Sequence, residues 1–254
     1  MDIATYAAAS AGVLQMRKLE VQNNNLANVN TVGFKRQYII AGRENFDETF
    51  AKQVEQDDPF ARGDQQRVSA VTDMTTQIDF TMGPIRNTGN PLDVALRNQN
   101  EFFVVNTPEG PRYTRAGNFS LGPEGQLVTM DGSAVQGDGG PINAVGAGVS
   151  IAADGTVRAN SLPVGRIQVV RFNDTNGLEA TDGARFKLRQ GSPAPQPVEA
   201  RLEPRALEMS NASAITGMID LITTNRAFDA YQKAANTIDS LNQTAIQQVG
   251  KRNS

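Results

Sequence analysis

The 254-residue chain contains no cysteine, no histidine and no tryptophan. Without histidine there is no imidazole base, so Ser-His-Asp and Cys-His relays are excluded, and so are zinc sites built from His or Cys. These absences exclude most hydrolase mechanisms. The lack of cysteine fits a cytosolic chain and equally one that is exported without oxidative folding.

Charge of either sign is also modest, because 24 basic residues face 27 acidic ones and the net charge is -3. A chain of this kind does not bind nucleic acid by broad phosphate neutralisation. The longest apolar stretch near the N-terminus, residues 6–13, is Ala-rich, follows Asp2 and has no basic residue before it. We therefore expect neither a cleaved signal peptide nor a membrane span, so that any export uses a signal-independent route.

A helix is predicted over residues 3–29, which contain one glycine and no proline. Its apolar and small residues recur at spacings of three and four, as on one stripe of a helix: Tyr6, Ala9, Val13, Met16, Leu19 and Leu26. The pattern stops at residues 28–33, whose asparagine, threonine and glycine suit a helix end with a left-handed cap.

A second helix is predicted from about residue 215 to 249, with Asn211 or Ser213 as its cap. Its stripe shifts near Asn225, as at a coiled-coil stutter. About 35 residues at 1.5 Å each give a rod of roughly 50 Å, and a helix of that length needs a long partner. The apolar stripe begins with Ile215, Met218, Ile219, Ile222, Phe228 and Tyr231.

The middle of the chain has the opposite composition. Between residues 83 and 204, turn pairs such as Asp131-Gly132 and Asp154-Gly155 separate short apolar runs. This spacing predicts an all-β domain, either a sandwich or an irregular barrel. Residues 190–197 contain three prolines and indicate a stiff linker.

The sequence therefore predicts an α+β fold in which long N- and C-terminal helices, a coiled-coil-like pair, flank an inserted all-β domain. The predicted domains are residues 1–35 for the N-terminal assembly helix and the loop after it, 36–82 for an extended connector with some strand, 83–204 for the β-rich outer domain, and 205–254 for the C-terminal assembly helix.

Two local patterns have a chemical interpretation beside a structural one. Glu101 with Asp93 or Glu124 is a candidate carboxylate pair for glycosidase chemistry, but scattered surface and turn carboxylates explain these residues better. Residues 173–177 (NDTNG) resemble a calcium loop only in part, because Phe172 stands where an EF-hand needs an acidic ligand. We expect an Asx turn there.

The run at residues 24–35, NNLANVNTVGFK, has an unusual density of asparagine for a helix end. It resembles the N-terminal signature of bacterial flagellar rod and hook proteins, commonly written Ser-Asn-Asn-Leu-Ala-Asn-x-Asn-Thr-x-Gly-Phe-Lys, with Asn23 in place of the serine. Residues 88–96 and 113–119 are similar to the family's central β-domain pattern, and Glu101 replaces its usual glycine. Residues 225–229 are similar to its Gln-Arg-Ala-Tyr-Glu core.

Within the family the sequence looks most like the proximal-rod type, and the distal-rod type is the close competitor. The resemblance implies a structural component of the flagellar basal-body rod, located in the periplasm and exported by the flagellar type III apparatus. It implies that the terminal helices polymerise with other copies and other rod proteins into a hollow, torque-transmitting shaft. It implies no enzyme activity, catalytic residue, cofactor or metal, and no nucleic acid or membrane insertion.

The predicted assembly interface has two parts, the N-terminal signature and the C-terminal helix. Its residues are Asn24, Asn25, Leu26, Asn28, Asn30, Gly33, Phe34, Ile215, Met218, Ile222, Arg226, Phe228 and Tyr231. The alternatives are a distal-rod or hook protein of the same family and, in another class, a carbohydrate-binding or enzymatic β domain on a helical stalk. That last alternative predicts an acidic or aromatic cleft within residues 83–204.

Overall fold

The structure is a computed structural model that describes residues 3–45 and 69–251. The chain divides into two compact units. Unit 1 comprises Met1–Asn24, Gln37–Gln77 and Ile215–Ser254, and unit 2 comprises Asn25–Arg36 and Ile78–Ala214.

Unit 1 contains most of both helices. Helix α1 covers Ile3–Ala27 and helix α2 covers Ala214–Lys251. Strands β1 (Gln37–Asn45) and β2 (Ser69–Ile78) form a two-stranded sheet within the predicted connector, and the Tyr38 hydroxyl donates a hydrogen bond to Gln77 Oε1 at 3.1 Å. Residues 46–68 of that connector lie outside the described residues.

The predicted fold class is wrong, because the helices do not form a long coiled-coil-like pair around the β domain. Helix α1 is short for this purpose: its 25 residues make about seven turns, and its apolar residues are spread around the helix rather than focused on one seam. The leading apolar residues of α2 are more than half exposed instead of packed, namely Ile215, Met218, Ile219 and Ile222. What dominates the described chain is a large β-rich central region.

The start of α2 also differs from one of the two predicted caps. Because α2 begins at Ala214, Ser213 stands at its N-cap position. Asn211 lies two residues further back, and its side chain is hydrogen-bonded to Arg36, Asp79 and Thr81. Of the two candidate caps, the structure therefore selects Ser213, and the side chain of Asn211 is used in tertiary hydrogen bonds instead.

Unit 2 is built from antiparallel strands in four sheets. The largest sheet has ten strands: β5 (Glu101–Thr107), β6 (Gly110–Thr114), β7 (Ser120–Leu121), β8 (Leu127–Val128), β9 (Ala134–Gly137), β10 (Gly140–Pro141), β14 (Val169–Arg171), β15 (Leu178–Ala180), β16 (Arg185–Leu188) and β17 (Gln196–Val198). The smaller sheets pair β3 (Ile85–Asn87) with β19 (Ala206–Glu208), β4 (Val94–Leu96) with β18 (Leu202–Pro204), and β11 (Ser150–Ile151) and β13 (Leu162–Arg166) with the intervening β12 (Thr156–Ala159).

Two local predictions are tested by these strands and turns. The prediction of a stiff linker at residues 190–197 is wrong at its end, where Gln196 and Pro197 pair with β14 as part of edge strand β17. Proline is tolerated there because an edge strand needs no complete ladder of N–H donors. The Asx turn is confirmed, since Asp174 Oδ1 accepts a hydrogen bond from the backbone N–H of Asn176 at 2.9 Å.

Strand β5 lies at the centre of unit 2 and is buried on both faces. Its continuous apolar run is typical of such a strand, because successive side chains point to opposite faces. Phe103 and Val105 belong to one core cluster, and Phe102 and Val104 belong to the other. The second cluster contains five aromatic rings in edge-to-face contacts: Phe80, Phe102, Tyr113, Phe172 and Phe186.

Replacing Phe102 tests this two-faced core. Its side chain is fully buried, so Phe102→Ala should lower the free energy of unfolding of unit 2 by about 3–5 kcal/mol. Leu162→Ala is the control, because Leu162 is 68% exposed and its loss should cost less than about 0.5 kcal/mol. The measurement is denaturant unfolding followed by the near-ultraviolet circular dichroism of the tyrosines, including buried Tyr113. Similar losses in the two variants would contradict this description of the core.

Candidate functional site

The asparagine-rich signature leaves α1 and folds as a series of tight turns. Asn28 Oδ1 accepts a hydrogen bond from the Thr31 hydroxyl at 3.0 Å, and the Thr31 N–H donates to the Asn28 carbonyl at 3.1 Å. The Phe34 N–H then donates to the Thr31 carbonyl, and the Gly33 N–H donates to the Glu208 carbonyl at 2.8 Å. The signature is thus bonded to the segment that precedes α2.

Gly33 is required at this point by both conformation and space. Its φ of +70° lies in the left-handed region that favours glycine. A Cβ atom added there would lie 2.3 Å from the backbone nitrogen of Ala116. Phe34 follows with only 2% of its surface exposed. The end of the signature is therefore packed against the backbone of unit 2.

Three buried charged side chains, which we call the ion triad, lie beneath the signature. Lys35 Nζ donates to Glu208 Oε1 at 2.6 Å, and Arg115 Nε donates to Glu208 Oε2 at 2.7 Å. All three side chains are fully excluded from solvent. Lys35 also donates to the Thr81 carbonyl at 2.6 Å, and Glu208 Oε1 accepts from the Gly83 N–H at 3.0 Å. Each carboxylate oxygen of Glu208 thus accepts from a cationic side chain, and Oε1 also accepts from a backbone N–H.

Arg115 carries the second positive charge of the ion triad, and its guanidinium also donates hydrogen bonds to backbone carbonyls. Its Nη1 donates to the carbonyls of Asn98, Gln99 and Glu101 at 2.9, 2.9 and 2.7 Å. Its guanidinium carbon lies 5.8 Å from the centroid of the Phe102 ring, which is within the range of a cation–π contact. Since arginine presents several donors in a fixed plane, one side chain anchors the loop before β5 and the end of β19 together.

The ion triad shifts the ionisation of its members. Burial alone would raise the pKa of the Glu208 carboxyl, but the charges of Arg115 and Lys35 outweigh burial and hold that pKa below its usual value. Burial lowers the pKa of the Lys35 ammonium, and repulsion by Arg115 adds to it against the attraction of Glu208. Burial is thus the main cause of the lowered pKa of Lys35, and the two neighbouring cations are the cause of the lowered pKa of Glu208. Folding is therefore stabilised by ionised Glu208 above its unfolded-state pKa, and this contribution is lost as the pH falls through the folded-state pKa.

The residues of the predicted interface differ in how far they are buried in the structure. Gly33 and Phe34 are buried inside unit 2, Leu26 and Asn28 are half-buried, and Asn30 is exposed. The other members lie at the end of α1 and along α2. Asn24 is exposed and Asn25 half-buried, Phe228 is half-buried, and the exposed ones are Ile215, Met218, Ile222, Arg226 and Tyr231. Their contact with a neighbouring subunit stays a prediction.

Sequence reasoning missed the ion triad as a unit. Lys35 and Arg115 lie within the family-like motifs, which do not mark either as a buried charge, and Glu208 lies outside those motifs. The available signal was a charged residue between apolar neighbours, as in Leu207-Glu208-Met209. Such a pattern indicates a buried charge, and a buried charge needs a partner.

The alternative carboxylate chemistry has no support in the geometry. Asp93 accepts hydrogen bonds from the Thr88 hydroxyl and the Asn90 amide, and Glu101 is paired with Arg171 at 2.7 Å. No group of three possible metal ligands occurs among the residues that the structure describes. The six aromatic residues between positions 83 and 204 are all buried, so they offer no platform for a sugar: Phe102, Phe103, Tyr113, Phe119, Phe172 and Phe186.

Three family models match the chain. Residues 6–35 match the flagella basal body rod protein, residues 98–159 match the flagellar hook protein FlgE/F/G D1 domain, and residues 203–248 match the C-terminal part of the flagellar basal body rod FlgEFG protein. The flagellar basal-body rod protein FlgF of Caulobacter vibrioides is 34% identical over the full length of both chains. The chain belongs to the flagellar basal-body rod protein family.

Other relatives agree with this assignment. FlgF of Salmonella typhimurium is 33% identical over 94% of the chain and 95% of the relative, and FlgG of Caulobacter vibrioides is 32% identical over 94% and 97%. The chain is FlgF-like, with FlgG as the competitor. As a member of this family it is a structural protein of the flagellar basal body and not an enzyme.

In the part of the chain that is described, neither helix has an apolar stretch long enough to span a membrane.

The ion triad links the three segments that define the rod family in this chain. Lys35 is the last residue of the first matched segment, Arg115 lies in the second, and Glu208 lies in the third. Lys35 and Glu208 are 173 residues apart in sequence, and Arg115 and Glu208 are 93 apart. One buried carboxylate therefore joins all three segments within unit 2.

Neutralising Glu208 tests the ion triad. Glu208→Gln leaves two buried cations without their anion, so the free energy of unfolding of unit 2 should fall by about 3–5 kcal/mol. The loss should be largest near neutral pH and should become smaller as the pH falls below the ordinary carboxyl pKa toward the lowered folded-state pKa of Glu208, because its contribution to stability is lost over that range. Denaturant unfolding at a series of pH values measures both effects.

The matched control is Glu203→Gln. Glu203 lies in the nearby strand β18 and pairs with Arg97, but both side chains are partly exposed, at 43% and 59%. Its neutralisation should cost less than about 1 kcal/mol. Equal costs for the two variants, or a cost for Glu208→Gln that does not change with pH, would be incompatible with the ion triad.

Gly33 and Gly89 form a second matched pair. Both have positive φ, +70° and +75°, but a Cβ at Gly89 has no atom within 4 Å. Gly89→Ala should cost only the conformational strain, about 1–2 kcal/mol. Gly33→Ala should cost more than that, because it also forces the signature away from the backbone at Ala116. Thermal unfolding of both variants provides the comparison, and a smaller loss for Gly33→Ala would refute the close approach.

Proposed function

We propose that the chain polymerises with other copies of itself and with other rod proteins into a hollow, torque-transmitting shaft, through contacts made by α1 and α2. The observation that supports this proposal is a row of exposed apolar residues at the start of α2. Ile215, Met218, Ile219 and Ile222 have 76%, 54%, 59% and 52% of their surface exposed. Their spacing of three and four places them on one face of the helix.

The N-terminal helix has a smaller surface of the same kind. Val13 and Met16, three residues apart, are 54% and 52% exposed. Contiguous exposed apolar residues are uncommon on a protein that functions alone and are typical of surfaces that bind another protein. A neighbouring rod subunit would remove these side chains from water, and the hydrophobic effect would then drive assembly.

Delivery and position follow from the family assignment as part of the proposal. The chain would be exported by the flagellar type III apparatus and would join the rod in the periplasm. Its partners would be proteins, and its net charge of -3 gives no general attraction to nucleic acid. The predicted interface residues of the signature and of α2 would contact neighbours directly or, for buried Gly33 and Phe34, would act by holding the signature in place.

Ile219→Glu tests the assembly surface. Ile219 is exposed in the single chain, so the substitution should leave the fold intact but place a charge in the contact between subunits, where burial without a partner is costly. In cells that lack the native gene, the variant should give no swimming in soft agar and no chain in isolated basal bodies. Circular dichroism of the purified variant should match that of the wild type.

Gln232→Glu is the control, because it introduces the same charge at an exposed position of the same helix. It should assemble and support swimming. Normal swimming and normal incorporation of Ile219→Glu would overturn the proposed role of the α2 surface.

A further inference from the structure

Methionine is the only sulfur-containing residue type of this chain, which has seven methionines and no cysteine. Four of the six methionines in the described part of the chain are exposed. Met16 and Met218 lie on α1 and α2 and are 52% and 54% exposed. Met82 and Met130 lie in unit 2 and are 37% and 73% exposed. Each helix therefore presents a sulfur atom that an oxidant can reach.

Both helical methionines lie within the exposed apolar surfaces already described. Ile215 is three residues before Met218 and Ile222 is four residues after it, so the three side chains share one face of α2. Met16 follows Val13 by three residues on α1 in the same way. Isoleucine and valine have no group that peroxide oxidises, so the methionine is the oxidisable member of each surface.

Oxidation changes the chemistry of such a surface. Hydrogen peroxide transfers one oxygen atom to the thioether sulfur: an S–O bond forms, the O–O bond breaks, the sulfur loses two electrons and the peroxide leaves as water. The sulfoxide is polar, so burying it among apolar side chains costs free energy unless it finds a hydrogen-bond donor. Methionine sulfoxide reductases reverse the change with a dithiol as reductant, which becomes a disulfide while the oxygen leaves as water.

We propose that Met16 and Met218 are oxidation sites through which peroxide blocks the addition of the chain to a rod, and that reduction of the sulfoxides restores it. This proposal rests on the proposed function, in which α1 and α2 contact neighbouring subunits. Met218 is open to peroxide in the single chain, and a neighbouring subunit covers it after assembly. Met130 belongs to neither surface, so assembly through the helices leaves it reactive.

Peroxide labelling tests the difference in accessibility. The purified chain and isolated basal bodies are treated with hydrogen peroxide at the same concentration, and sulfoxide at each methionine is measured by peptide mass spectrometry. Met218 and Met130 should react at comparable rates in the single chain, because both are more than half exposed. In basal bodies Met130 should still react, but Met218 should react about tenfold more slowly. Comparable rates at both residues in basal bodies would contradict the proposal.

Two matched double variants test the block itself. The helix variant, Met16→Leu with Met218→Leu, removes both sulfurs from the helices and keeps apolar side chains of similar volume. The control variant, Met82→Leu with Met130→Leu, removes two sulfurs from exposed positions of unit 2. Each is expressed in cells that lack the native gene, with and without peroxide during rod growth. Its amount in isolated basal bodies is given relative to the same chain without peroxide.

Peroxide should lower the incorporation of the wild-type chain and of the control variant by about tenfold, because the sulfoxide is buried without a partner. The helix variant should lose less than about twofold. Met218→Gln places a polar side chain at the same point without any oxidant, and it should lower incorporation in untreated cells to the same degree as peroxide does. Met130→Gln should be incorporated normally.

Equal losses after peroxide in the helix variant and the control variant would overturn the proposal, and so would normal incorporation of Met218→Gln. The Ile219→Glu variant distinguishes this failure from that of the proposed function. If Ile219→Glu fails to assemble while Met218→Gln assembles normally, the oxidation sites are wrong and the assembly surface stands. If both variants assemble normally, the proposed role of the α2 surface is wrong as well.

Discussion

The carboxylate of Glu208, shared between Lys35 and Arg115, is the interaction on which the rest of unit 2 depends. A buried ion pair is weak evidence for stability, since well-packed apolar residues of similar size often do as well. What this arrangement adds is specificity of position. The carboxylate accepts from two cations and one backbone N–H, so it holds the segments that carry these groups in one position relative to one another.

The distribution of apolar and charged groups explains how one chain presents two kinds of surface. Unit 2 hides its rings on the two faces around β5 and leaves charged and polar turns outside. The α2 helix does the opposite and leaves isoleucines in water. Under the proposed function, assembly would bury the exposed face of α2 and leave the core of unit 2 unchanged.

Local structure was predictable from the sequence wherever it depends on local chemistry. The two helices, the Asx turn at Asp174 and the buried strand β5 follow from periodicity and turn residues, and the asparagine-rich signature identified the family. The ion triad was not predictable, because it joins residues far apart in sequence and no single residue in it is unusual alone. The coiled-coil-like pair was predicted wrongly because the apolar residues of α1 recur at helical spacing without being focused on one seam. The sequence left Asn211 and Ser213 open as caps of α2 because helix caps and tertiary hydrogen bonds use the same polar side chains.

The separation of Lys35 from Glu208 makes unit 2 depend on both ends of its sequence. Their contact spans 173 residues, so it cannot form until nearly the whole of unit 2 is present. A chain cut short before position 208 would hold Lys35 and Arg115 without their anion, and it would lack the stabilisation that the complete unit has.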